Sequence, residues 1–121
     1  MGIINWIMRK PVENRKNQRF NSVAKILIPK VFSGEAVLKD ISITGCRMEY
    51  AKPIEIQENT QYTMTIFPEE NTEIGCFDLL VECRWINQEN NSWDVGFDIK
   101  KSPGKRDFER YVDYLAWRHN T

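Results

Sequence analysis

Two short patterns, about twenty residues apart, hold the side chains best suited to grip a small anion. The first is Arg15-Lys16-Asn17-Gln18-Arg19, and the second is Asp40-Ile41-Ser42-Ile43-Thr44-Gly45. A guanidinium presents a planar fork of donors that matches two phosphate oxygens or the O6/N7 edge of guanine. Two of them along an irregular arm can therefore close on a compact dianion from two directions. The second pattern supplies complementary groups. Asp40 can accept from guanine N1–H and N2–H, Ser42 can donate or accept, and Gly45 permits a positive φ or a close approach that a Cβ would block. Such a set binds; it does not cut. With His119 as the sole imidazole there is no Ser/His/Asp or Cys/His set, and neither a phosphate-binding glycine loop nor an HExxH is present, so the chain is not read as an enzyme.

The segments around these patterns decide how they are held. Residues 1–21 read as a polar, flexible N-terminal arm carrying both arginines, after an apolar start of Ile3, Ile4, Trp6 and Ile7. Residues 22–121 read as a separate folded unit. Branched residues from Val23 to Ile28, then Ala36 to Ser42, Cys46 to Tyr50 and Tyr62 to Phe67, make a series of short strands bounded by Gly, Pro and acidic turns. The clearest hairpin follows. Leu79, Val81, Cys83 and Trp85 share one face of a strand, Asn90-Asn91 turns the chain, and Trp93, Val95, Phe97 and Ile99 share one face of the return. Trp85 and Trp93 offer rings on which a guanine base could stack, but that alternation assigns both to the core. Phe108, Tyr111, Val112 and Leu115 then recur with helical spacing, with Ser102 as the expected N-cap and Pro103 in the first turn. The stripe makes Phe108, Tyr111 and Leu115 core residues and leaves Tyr114 and Trp117 for a partner. The fold class expected is all-β with a C-terminal helix: a small six-stranded antiparallel β-barrel with the helix laid against it.

The order and separation of the two patterns, with Phe20 after Arg19 and the later Val81-Glu82-Cys83-Arg84-Trp85 and Val95-Gly96-Phe97, resemble a PilZ domain. This is a bacterial module that senses cyclic di-GMP. The likeness runs from about residue 15 to 118. It implies a split-barrel fold and cyclic di-GMP held by Arg15, Arg19, Asp40, Ser42 and Gly45, with no further cofactor. Many members carry another arginine just before the first, whereas this chain has Asn14, so both a single ligand molecule and a stacked pair fit the sequence. Asn14, Lys16, Lys39 and Arg47 are second-rank contacts. A lysine is a point charge on a flexible stem and specifies little. Arg47, two positions beyond Gly45, faces either the ligand or the opposite side.

Composition narrows the alternatives. Formal net charge is zero, from 17 basic and 17 acidic residues, but residues 1–48 carry nine Lys/Arg against three acids and residues 49–98 carry two against eleven. A basic N-terminal third suits a small dianion, while the acidic middle disfavours polymeric nucleic acid, including the single strands that OB-folds bind. Three cysteines without metal-ligand spacing read as reduced thiols, with Cys46 and Cys83 as small buried residues, and no metal site is expected. No stretch reaches the ~20 apolar residues of a membrane span, and the short apolar start, followed by Arg9 and Lys10, does not read as a signal peptide. A cytoplasmic receptor and adaptor is the expectation. Its ligand orders the arm, and an unidentified effector protein reads the changed surface, with motility, exopolysaccharide or virulence machinery implied by the resemblance. The alternative is a nucleotide-independent interaction module of the same fold.

Overall fold

The computed structural model describes residues 18–32, 34 and 36–120. Seven strands form one antiparallel sheet: β1 (Phe20–Asn21), β2 (Lys25–Leu27), β3 (Ala36–Ile41), β4 (Gly45–Tyr50), β5 (Gln61–Phe67), β6 (Phe77–Glu89) and β7 (Ser92–Lys101). The lateral order is β1-β3-β2-β5-β6-β7-β4, and a β3–β4 pairing closes β2 to β7 into a six-stranded barrel. β1 is the extra strand. It pairs with the Asp40–Ile41 end of β3 while β2 pairs with the Ala36–Val37 end, so the sheet begins two residues inside the segment that the sequence assigns to the arm.

Period-two patterning explains most of the barrel. Ile26, Leu38, Met48, Met64, Leu79 and Val95 point inward and are fully buried. The β6–β7 hairpin closes through Asn90 and Asn91, both at positive φ, the conformation that a two-residue turn needs to follow strand twist. Among the described residues the α-helix, α1 (Lys105–His119), buries Phe108, Tyr111, Val112 and Leu115 against the barrel, with the Phe77 ring centroid 5.8 Å from that of Phe108 and 6.1 Å from that of Tyr111. Two details differ from the sequence expectation. The N-cap is Gly104, with no side-chain cap, because the helix starts two residues later than Ser102 would require. Tyr114 is buried rather than free for a partner, since a 15-residue helix against a curved wall covers a wider stripe than four residues mark.

Two bulges reset the alternation where it matters. Between Leu38 and Asp40, β3 carries one residue more than β4, so Leu38 and Ile41 both face the core and Asp40 turns outward. Between Cys83 and Trp85, β6 does the same against β7. Cys83 is buried, but Trp85 is 42% exposed, so the core assignment of Trp85 is overturned: the extra residue reverses the phase of every side chain after it. Trp93, beyond the shift, is half-buried opposite Tyr50.

Candidate functional site

The bulges build one lateral row on the outside of the barrel. Asp40 pairs across to Arg47, Arg47 to Gly96, and Gly96 to Trp85, so four strands present carboxylate, guanidinium, bare backbone and indole side by side. The neighbouring row runs from Gly45 to Asp98 to Glu82. Arg84 bonds Asp98 and lies 3.0 Å from Glu82, adding a third arginine to this face and holding its guanidinium firmly protonated.

Asp40 is the centre of the charge arrangement. Its Oδ1 accepts from Arg19 Nη1 at 3.1 Å and its Oδ2 from Arg47 Nε at 3.0 Å, while only 15% of its side chain is exposed. The half-exposed guanidinium of Arg19 also lies over Gly45. A Cβ there would stand 2.8 Å from Arg19 Nη2 and 2.9 Å from the Phe97 carbonyl oxygen, so Gly45 serves close approach, without a positive φ. Behind this layer, burial pushes the Cys46 thiol up to about 12, with Arg19 pulling it down and Asp40 reinforcing the rise.

Ser42 has a different place. It is 1% exposed, and its Oγ accepts from the Thr44 amide at 3.2 Å and the Gly45 amide at 3.1 Å, while its own amide donates to the Gly45 carbonyl at 2.8 Å. The hydroxyl therefore builds the turn that presents Gly45. The Thr44 carbonyl accepts from the Ile99 amide at 2.9 Å, which fastens the turn to β7. Lys39, at the bulge, lies 3.9 Å from Glu49. Arg15, Asn14, Lys16 and the apolar start with Ile3, Ile4, Trp6 and Ile7 lie outside the described residues.

Of the sequence-derived residues, the fold brings Arg19, Asp40, Gly45 and Arg47 together and puts Ser42 beneath them. Register sets Arg47 beside Asp40 on the outer face of the barrel. In the sequence Gly96 and Trp85 mark the hairpin and the family resemblance, with stacking on a base only the lesser reading of Trp85. A Cβ on Gly96 would fall 2.2 Å from the Trp85 indole, so the ring lies across the glycine, a contact open to no other residue. The signal available was the Gly96 in an otherwise apolar-alternating strand, since an isolated strand glycine marks close approach.

The root of the arm is fixed from the other side. The Ala24 amide donates to Ser22 Oγ at 3.0 Å, Ser22 donates to Tyr111 Oη at 2.7 Å, and Tyr111 donates to Glu69 Oε1 at 2.6 Å. Arg118 completes the cluster, donating to Glu69 Oε2 at 3.3 Å and to the Asn21 carbonyl at 2.7 Å. Burial, then the bond to Glu69, raises the Tyr111 hydroxyl well above the usual tyrosine range. Next to Arg19, Phe20 is buried with its ring 5.6 Å from that of His119.

Among the described residues no helix is long and apolar enough to cross a membrane. No curated protein matches the sequence. A solved structure described as Bacillus subtilis inhibitor of motility (MotI/DgrA) shares the fold, with a TM-score of 0.68 at 14% identity, covering 93% of this chain and 51% of that one. The present chain thus spans about half the length of that neighbour. The PilZ domain pattern matches residues 13–117, which include the arginine pair, the Asp40–Gly45 turn, the whole barrel and nearly all of α1: the chain belongs to the PilZ domain family.

Proposed function

We propose that this chain is a cytoplasmic receptor for cyclic di-GMP that passes the binding event to a partner protein. The observation that carries this reading is the convergence of Arg19, Asp40 and Gly45, from two separate parts of the sequence, on one outer face of the barrel. Arg19 leaves Asp40 for a ligand phosphate or guanine edge, and Arg15 supplies the second guanidinium. Asp40 then accepts from guanine N1–H and N2–H, and the backbone at Gly45 gives the base a surface without a Cβ. Trp85, exposed on the same row, offers a ring on which a base stacks.

The output follows from the chain around Arg19. Phe20, the next residue, touches the end of α1, so a partner that spans Arg19 and this helix end reads whether Arg19 is on Asp40 or on the ligand. By analogy with the neighbour named as an inhibitor of motility, motility machinery is the first partner class to test.

Calorimetric titration with cyclic di-GMP tests the reading. Saturable heat that Arg19→Ala and Asp40→Ala each remove is expected, and the stoichiometry separates one molecule from a stacked pair. A folded protein that takes up no ligand at saturating concentration would instead act as an interaction module.

A further inference from the structure

The two arginines on Asp40 are not equivalent. Arg19 reaches Oδ1 from the last residue before β1, with 48% of its side chain exposed. Arg47 reaches Oδ2 from directly across the ladder, Asp40 and Arg47 being register partners on β3 and β4. Both ends of the second pair are set by strand hydrogen bonds, whereas the first depends on a residue outside any strand. When Arg19 is drawn off by an anion, a carboxylate that is only 15% exposed keeps a bonded counterion on one oxygen alone.

We propose that Arg47 is the positioning residue for Asp40: it holds Oδ2 at all times, so the ligand exchanges only the Oδ1 contact, and the guanine-reading oxygen is presented in one orientation. The proposal rests on the cyclic di-GMP reading above and assigns Arg47 a role through Asp40 rather than on the ligand itself. The bulge at Lys39 is part of the device, because it brings Asp40 outward opposite Arg47. Without Arg47 the carboxylate is free to rotate, and the cost falls on base recognition instead of phosphate binding.

Cyclic di-GMP and cyclic di-AMP, which share the phosphate ring but differ in base donors, separate these contributions. Adenine has no N1–H to give Asp40. Wild-type protein is expected to prefer the guanine ligand. Arg47→Ala is expected to lower guanine-ligand affinity about tenfold or more, the scale of a lost charge-assisted bond, while the adenine ligand changes little, so the preference ratio collapses. Arg47→Lys, which keeps a cation there, recovers part of that ratio and serves where the alanine variant melts too low. Equal losses for both ligands would mean that Arg47 grips phosphate directly, and unchanged affinity in Arg47→Ala would mean that Asp40 needs no support; either result overturns the proposal. Wild-type protein without a guanine preference overturns it too. Wild-type protein that binds neither nucleotide overturns the functional reading along with it.

Discussion

Two polar clusters flank the root of the arm, one either side of Phe20, and both bind a carboxylate to an arginine. Around Asp40 the arginine side chains are 48% and 37% exposed, and every bond runs between charged groups at a water-facing surface. Around Glu69 the bonds run through Tyr111 and Ser22, which are 0% and 5% exposed, into the junction of barrel and helix. Exposed pairs contribute roughly 0–1 kcal/mol because water and salt replace them readily. A buried, fully satisfied chain of hydrogen bonds costs about 1–3 kcal/mol to break, since the severed partner is left without water. Similar chemistry thus gives an exchangeable Arg19 contact at Asp40 and a permanent one at Glu69. Residues 19–22 thus stand between a surface that yields and an anchor that does not.

The sharpest way to break this contrast is Arg19→Ala. It should weaken cyclic di-GMP binding by roughly 1.5–3 kcal/mol, while the melting temperature of the free protein stays within a few degrees of wild type. A large fall in melting temperature would make the Asp40 cluster structural after all. Tyr111→Phe is the mirror experiment. It should cost roughly 1–3 kcal/mol in denaturant unfolding and leave the ligand affinity of the folded protein unchanged.

Alkali probes the anchor more gently. The hydroxyl of Tyr111 is raised in the folded state above its ordinary 10.0, so the unfolded chain releases that proton first. Stability is therefore full below pH 10 and declines as pH rises beyond it, by up to about 1.4 kcal/mol per pH unit from this group. Cys46, raised from 9.0 to about 12, adds a similar decline starting near pH 9. Tyr111→Phe should show a shallower loss above pH 10 in the same titration, and an identical slope would deny the tyrosine its role. The smallest effect belongs to Gly96→Ala. Its methyl must lift the indole of Trp85, whose outer edge is free to move, at a cost of roughly 1 kcal/mol. A shift in tryptophan emission without loss of Arg19→Ala sensitivity would show that the two halves of the row act separately.

Much of this was legible before any coordinates. Alternation marked the β6–β7 hairpin, and Asn90-Asn91 marked its turn, because both signals are local. That Arg19 comes to the same face as Asp40 was legible through residue chemistry, but their direct ion pair was not. The Glu69 cluster was not, since Tyr111 lies 42 residues from Glu69 and 89 from Ser22, and nothing in a solvated-looking acidic turn announces a buried partner. Trp85 was misassigned for a related reason. An extra residue in a strand leaves no mark of composition, yet it reverses inside and outside for all that follow. Ser42 reads as a ligand contact by type, but its neighbours in the turn claim its hydroxyl first.

The bulge at Lys39 decides which way Asp40 faces. Strict alternation along β3 with Lys39 in step would turn Asp40 toward the core and Ile41 toward water; because Lys39 is left unmatched, Leu38, Asp40 and Ile41 stand opposite Met48, Arg47 and Cys46, with only the acid outward. Deleting Lys39 would therefore keep all three pairings and remove nothing but the unmatched residue.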